Sequence, residues 1–129
     1  MRSYLLDTCA LLWWMSDARE LGARARRVIG DRRQHVSVSA ASLWEIAIKR
    51  RKGRLRGVDE YLARYAELHG RWGFATVVIE PADAVAAGTL PIAHDDPFDR
   101  MLIVQGKRLG AAIVTCDSGI RAHYDTCVW

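Results

Sequence analysis

Cysteine is scarce in this chain of 129 residues: Cys9, Cys116 and Cys127, an odd number with no C-x-x-C pair. That pattern argues against a disulfide framework and against a zinc knuckle, and it suits a reducing, cytoplasmic setting. The three read as small, semi-buried thiols. A G-x-G-x-x-G run is also missing, which removes the dinucleotide-binding modules. No apolar stretch approaches the length of a membrane span. The opening MRSYLLDTCALLWWM has the look of a secretory leader, yet Asp7 interrupts it and no small-residue cleavage site follows. It reads instead as the first strand and helix of the fold. Repeats, low-complexity tracts and linkers are absent as well, so residues 1–129 are expected to form one domain.

What is present suits a folded protein. Hydrophobic residues make up 50% and charged residues 26%, a balance that argues against disorder, and the length allows a core without staples. The net charge is +4 and the isoelectric point about 9.3. The cations are clustered. Lys49, Arg50, Arg51, Lys52, Arg54 and Arg56 form one group, and Arg24, Arg26, Arg27, Arg32 and Arg33 a second. Such groups favour polyanions through counterion release. Cations at the end of a helix also suit its dipole, and for Lys49 to Lys52 both roles are compatible.

Strand and helix signals alternate. Ser3 to Leu6 reads as a buried strand, followed by a short helix from Thr8 to Met15. Glu20 to Arg32 reads as a helix with Leu21, Ala25, Val28 and Ile29 on one face. A strand is expected over His35 to Ser39, then a helix over Ala41 to Lys52 that stops at Gly53. Val58 to Arg71 is spaced as a helix with Leu62, Tyr65, Ala66 and His69 on one face. The β-branched run Thr76 to Ile79 predicts a strand, and Pro81 to Gly88 a short helix opened by proline. Pro97 to Leu109 predicts a longer helix closed by Gly110. A strand over Ala111 to Thr115, a short helix over Ser118 to His123 and a final edge strand at Val128 complete the pattern. This alternation predicts a three-layer α/β/α sandwich with a mostly parallel central sheet. Sites in such sheets lie beyond the carboxyl ends of the strands.

The acids fall in those places. Asp7 ends the first strand, and Asp117 follows the strand ending at Thr115. If the two strands are neighbours, both carboxylates face one crevice, although each also suits the N-cap of the helix after it. Glu45 lies within the apolar helix AASLWEIAIK, where a buried carboxylate needs either a metal or an ion-pair partner such as a buried arginine. In HDDPFDRMLIVQG, Asp96 precedes Pro97 as an N-cap. Asp95 is expected to face solvent, and Asp99 is the residue assigned to the site. Asp7, Glu45, Asp99 and Asp117 together would repel one another strongly without a cation. They offer the oxygen ligands preferred by Mg²⁺ and Mn²⁺. A metal there would activate water for phosphodiester hydrolysis, with no covalent intermediate.

The ordered blocks LLDTCALLW, SLWEIAIK, HDDPFDRML and VTCD closely resemble those of the PIN-domain VapC-type toxins, across nearly the whole chain. The resemblance implies an α/β/α fold and an endoribonuclease dependent on Mg²⁺ or Mn²⁺. It makes Asp7, Glu45 and Asp99 core acids and Asp117 the fourth, with Asp96 a secondary acid. Thr8 matches a small hydroxyl residue able to hold water or a substrate phosphate. His94 and Arg100 are further candidates to contact substrate or to support the acids. Cys9 stands where relatives often carry histidine, so the local pocket differs there. The resemblance also implies a tRNA or ribosomal RNA substrate, homodimers and a VapB-type antitoxin covering the site. Trp13, Trp14, Trp44 and Trp72 could stack on bases, but core or dimer packing is the expected role for most of them.

Other readings are separated by residues. A receiver-type phosphoacceptor needs an acidic pair after the first strand, where Asp7 stands alone. A haloacid-dehalogenase-type phosphatase needs D-x-D there, and residue 9 is cysteine. A non-catalytic RNA-binding or regulatory PIN module would keep the fold while lacking some acids, and here all four are present.

Overall fold

The computed structural model describes residues 2–129. The elements run β1 (Ser3–Leu6), α1 (Thr8–Met15), α2 (Ala23–Gly30), β2 (His35–Ser39), α3 (Ala40–Arg51), α4 (Asp59–Trp72), β3 (Phe74–Val77), α5 (Pro81–Thr89), α6 (Pro97–Leu109), β4 (Ala112–Val114), α7 (Ser118–Arg121) and β5 (Cys127–Val128). The strands form one sheet in the order β3-β2-β1-β4-β5, and every pairing is parallel. Among the described residues, no helix is long and apolar enough to cross a membrane.

Side chains alternate across a strand, and β1 feeds both faces of the sheet. Tyr4 and Leu6 join Val36, Val38, Ala112 and Val114 on one side, against Leu11, Ala25, Ile29, Ile46 and Leu68 from the helices. Leu5 and Ile113 point the other way, onto Leu102, Ile103 and Ile120. Both faces are therefore covered, which is why the strands read as nearly continuous apolar runs.

Three elements depart most from the sequence expectation, while the bounds of α3, α5, β4 and α7 shift by one or two residues. α2 starts at Ala23 rather than near Glu20, because Gly22 is its N-cap in extended backbone. A Cβ on Gly22 would lie 2.6 Å from the backbone carbon of Trp129, so glycine is needed where the last residue crosses. β3 begins two residues early, at Phe74. The apolar signal of Val78 is on the surface, at 62% exposure, while Phe74 is buried against Trp14 and Trp72. In α4, Tyr65 and Ala66 face solvent, and the buried positions are Tyr61, Leu68 and His69. Arg64 has non-helical backbone (φ −129°, ψ 25°), and this kink resets the phase of the apolar stripe.

The sheet order places the site. From β1 the chain winds outward to β2 and β3, then returns to lay β4 and β5 on the other side of β1. The winding reverses between β1 and β4, and ligand crevices open at such a switch point. Leu6 pairs with Val114 there, so the residues following both strands emerge side by side.

Candidate metal centre

Asp7 leaves β1 and caps α1. Its backbone N–H donates to the Val114 carbonyl at 3.1 Å, and its Oδ1 accepts from the Ala10 N–H at 2.7 Å. Asp117 does the same after β4: Oδ2 accepts from the Ile120 N–H at 2.9 Å, while the Thr115 hydroxyl accepts from the Asp117 N–H at 2.9 Å. The capping role and the cleft role therefore coexist at both positions. Asp96 caps α6 through Oδ1, which accepts from the N–H groups of Phe98 and Asp99. Asp99 then projects from the first turn of that helix.

These acids share one cleft of about 160 Å³, lined by Asp7, Thr8, Cys9, Glu45, Lys49, Asp96, Asp99 and Asp117. Their electrostatics follow from burial and crowding. Burial pushes the Asp7 carboxyl up to about 6, and the charges of Asp99 and Asp117 add to it, against the opposing pull of the Thr115 hydroxyl and the Ala10 amide. Burial also raises Asp99, and Asp96 and Asp117 push in the same direction, while the His94 hydrogen bond resists. At both groups burial is the larger cause and the neighbouring carboxylates add to it.

Glu45 is 9% exposed and has partners on both oxygens. The Thr8 hydroxyl donates to Oε1 at 2.6 Å, and the Lys49 ammonium lies 2.9 Å from Oε2. The partner is a lysine one helical turn on, rather than an arginine. Burial opposes the Lys49 charge, but Glu45 outweighs it and holds the ammonium above its ordinary value. Sequence reasoning counted Lys49 only as part of a basic cluster. The signal that finds it is the i, i+4 spacing from Glu45 on one helix face.

His94 comes closer than the sequence indicated. Its Nε2 is 2.8 Å from Asp99 Oδ2, and that bond raises the imidazole above its ordinary range. One donor atom each from His94, Asp99 and Asp117 all lie within 4.8 Å of one another. Among the described residues Asp7 and Glu45 line the same cleft without entering this closest set. Arg100 is placed elsewhere. Its guanidinium donates to the carbonyls of Ala87, Gly88, Leu90, Ile92 and His94, so it ties down the segment that carries His94. Asp95 is exposed, in line with its expected position.

The thiols differ from the expected semi-buried state. Cys9 and Cys116 are exposed and only Cys127 is half-buried, because the first two follow strand ends where the chain opens toward the crevice. At Cys9, shielding on the cleft side and then the Asp7 charge push the thiol up to about 11. Without a cation beside it, the thiol is neutral near pH 7 and a poor nucleophile. Of the tryptophans, Trp13 stacks edge-on to Trp129 and Trp14 to Trp72, as core packing requires. Trp44 is 58% exposed and rests on Phe98.

Comparison with known proteins bears on the family and the fold. The family model of the PIN domain matches residues 4–125. The chain is 31% identical over 127 residues to Ribonuclease VapC22 of Mycobacterium tuberculosis, covering 95% of this chain and 93% of that protein. Among solved structures, it is similar to VapBC2 from Rickettsia felis bound to a DNA fragment from their promoter, with a TM-score of 0.64 and 12% identity over 93% of this chain and 92% of that one. It is also similar to PAE2754 from Pyrobaculum aerophilum, with a TM-score of 0.52 and 16% identity over 98% of this chain and 88% of that one. At such identities the structural likeness speaks for the fold.

Proposed function

The chain belongs to the PIN domain family, and from that premise we propose that it is a metal-dependent endoribonuclease, the toxin of a VapBC-type toxin–antitoxin pair. One observation carries the reading: Asp7, Glu45, Asp96, Asp99 and Asp117 converge on a single cleft at the switch point of a parallel sheet. The crowded carboxylate oxygens of this cleft are the donor set a hard divalent cation takes. Asp7, Glu45, Asp99 and Asp117 would hold Mg²⁺ or Mn²⁺. When bound, that ion supplies charge that offsets the carboxylate repulsion and Lewis-acid stabilisation of a phosphodiester under attack by water.

The remaining work falls to the chain. Thr8 and Lys49 fix the Glu45 carboxylate from two sides, so its remaining lone pairs orient an attacking water. Lys49 also brings positive charge to the cleft wall, where a phosphate oxygen gains negative charge. Arg100 and Asp96 act on position: Arg100 anchors the His94 segment and Asp96 sets the first turn that aims Asp99. Asp7 is held in place by the Ala10 amide. No side chain has to form a bond to the substrate.

The expected substrate is tRNA or ribosomal RNA in the cytoplasm, and the expected partners are a VapB-type antitoxin and a second copy of the chain. The named ribonuclease relative supports an RNA substrate. The exposed cations Arg51, Lys52, Arg54 and Arg56, at the far end of the helix that carries Glu45, offer a route for its backbone. A protein partner is supported by an apolar groove of about 310 Å³ lined in part by Trp44, Ile79, Phe98 and Met101.

The test is cleavage of total tRNA and ribosomal RNA by purified protein with Mg²⁺ or Mn²⁺, beside Asp7→Asn and EDTA controls. Discrete fragments that disappear in both controls are expected. Cleavage that persists in Asp7→Asn would remove the site assignment. Intact RNA from a protein that binds both metal and RNA would favour a non-catalytic module.

A further inference from the structure

Three features of the chain fix the His94 ring beside Asp99 and Asp117. The first is proximity. Its Nε2 meets Asp99 Oδ2 at 2.8 Å, and donor atoms of His94, Asp99 and Asp117 all fall within 4.8 Å of one another. The second is clearance. A Cβ at Gly119 would lie 2.4 Å from His94 Cε1 and 2.9 Å from Nδ1. The imidazole thus rests on a backbone position that only glycine leaves open, at the start of the helix capped by Asp117. The third is anchoring. The Arg100 guanidinium donates to the His94 carbonyl at 2.9 Å and to four further carbonyls from Ala87 to Ile92. Arg100 follows Asp99 directly, so one helix turn fixes both the acid and the backbone that presents the histidine.

We propose that His94 supplies a nitrogen ligand to the cation held by Asp99 and Asp117, giving the cleft a mixed nitrogen and oxygen donor set that prefers Mn²⁺ to Mg²⁺. This rests on the reading of the cleft as a divalent-cation site. Imidazole suits first-row transition ions, whereas Mg²⁺ takes oxygen ligands and keeps much of its water. To hold the ion, Nε2 would give up its hydrogen bond to Asp99. Asp7 and Glu45 complete the oxygen side.

The experiment is pulsed electron paramagnetic resonance on the Mn²⁺-loaded full chain, with calorimetric titration of Mn²⁺ and Mg²⁺ at one fixed pH. The expected result is ¹⁴N coupling to Mn²⁺ that is lost in His94→Gln, with Mn²⁺ affinity falling about tenfold and Mg²⁺ affinity changing less than twofold. His123→Gln should leave the coupling intact, although that ring lies 6.4 Å from His94. Gly119→Ala keeps the histidine but takes its space, and should weaken the coupling on its own. Mn²⁺ bound without ¹⁴N coupling, or an unchanged Mn²⁺ to Mg²⁺ ratio in His94→Gln, overturns the inference and leaves the oxygen site standing. If neither metal binds the parent chain, the cation reading of the cleft falls with it.

Discussion

A carboxyl that ionises near 6 in the fold and near 3.8 when unfolded makes Asp7 a pH-dependent weight on stability. The folded form binds the extra proton, so the group's contribution is fully present below pH 3.8 and is lost as pH rises through 6. In EDTA at pH 8, Asp7→Asn should therefore be more stable than the parent by about 2 to 3 kcal/mol. The difference should vanish near pH 3.5. Urea unfolding at the two pH values checks this, and a parent that gains stability from pH 4 to pH 8 relative to the variant would reverse the sign. Thr8 makes the opposite case. Thr8→Val removes the 2.6 Å bond to Glu45 and the 3.1 Å bond to Ser42, and should cost about 1 to 3 kcal/mol, read in the same titrations. The gathering of Asp7, Glu45, Asp99 and Asp117 in one cleft was legible in the sequence. The close approach of His94 to Asp99 and Asp117 was not, because it depends on Gly119 and on five backbone bonds from Arg100. Neither has a periodic signature.

Among the elements, α6 carries end signals on both sides and was read to the residue. Asp96 and Pro97 open α6, and Gly110 closes it with left-handed backbone (φ 62°). The bounds of β1, α1, β2 and α6 all stand as expected. Errors collect where tertiary contact replaces local signal: the late start of α2 under Trp129, the kink in α4, and the shift of β3 toward buried Phe74. The α5–α6 pair shows how such contact is built. Asp83 is 2% exposed and accepts from Arg108 at 2.8 and 3.0 Å, from Gln105 at 3.2 Å and from the Glu80 N–H at 3.1 Å. Asp83→Ala strands those donors between two helices and should cost about 3 kcal/mol by chemical denaturation. Because Asp83 lies outside the cleft, Mn²⁺ affinity of the folded variant should stay within twofold of the parent.

The whole molecule joins an acidic cleft to a cationic flank along α3. Lys49 and Arg50 are engaged by Glu45 and Asp59, whereas Arg51, Lys52, Arg54 and Arg56 remain exposed. Replacing these four with glutamine should weaken RNA binding and flatten its salt dependence. The log–log slope should shrink by about 0.7 for each phosphate of a single strand that these cations no longer neutralise. Filter binding between 50 and 200 mM salt reads both effects; an unchanged slope would move the RNA path to another face. Divalent metal should act on the fold as a whole. A cation that binds only the folded chain adds about 2.7 kcal/mol at one hundred times its Kd, so the melting temperature should climb with Mn²⁺ in the parent and much less in Asp99→Asn.

The strand order also sets a timetable. β1 is made first but lies in the middle of the sheet, and its neighbour β4 leads into Asp117, the last acid of the cleft in chain order. At ribosomal speeds of roughly 5 to 20 residues per second, Asp7 emerges roughly 5 to 20 s before Asp117. A nascent chain that already holds Asp7, Glu45 and Asp99 still has no β4 against which to set them. Whatever the cleft holds, the nascent chain cannot hold it until β4 has been translated.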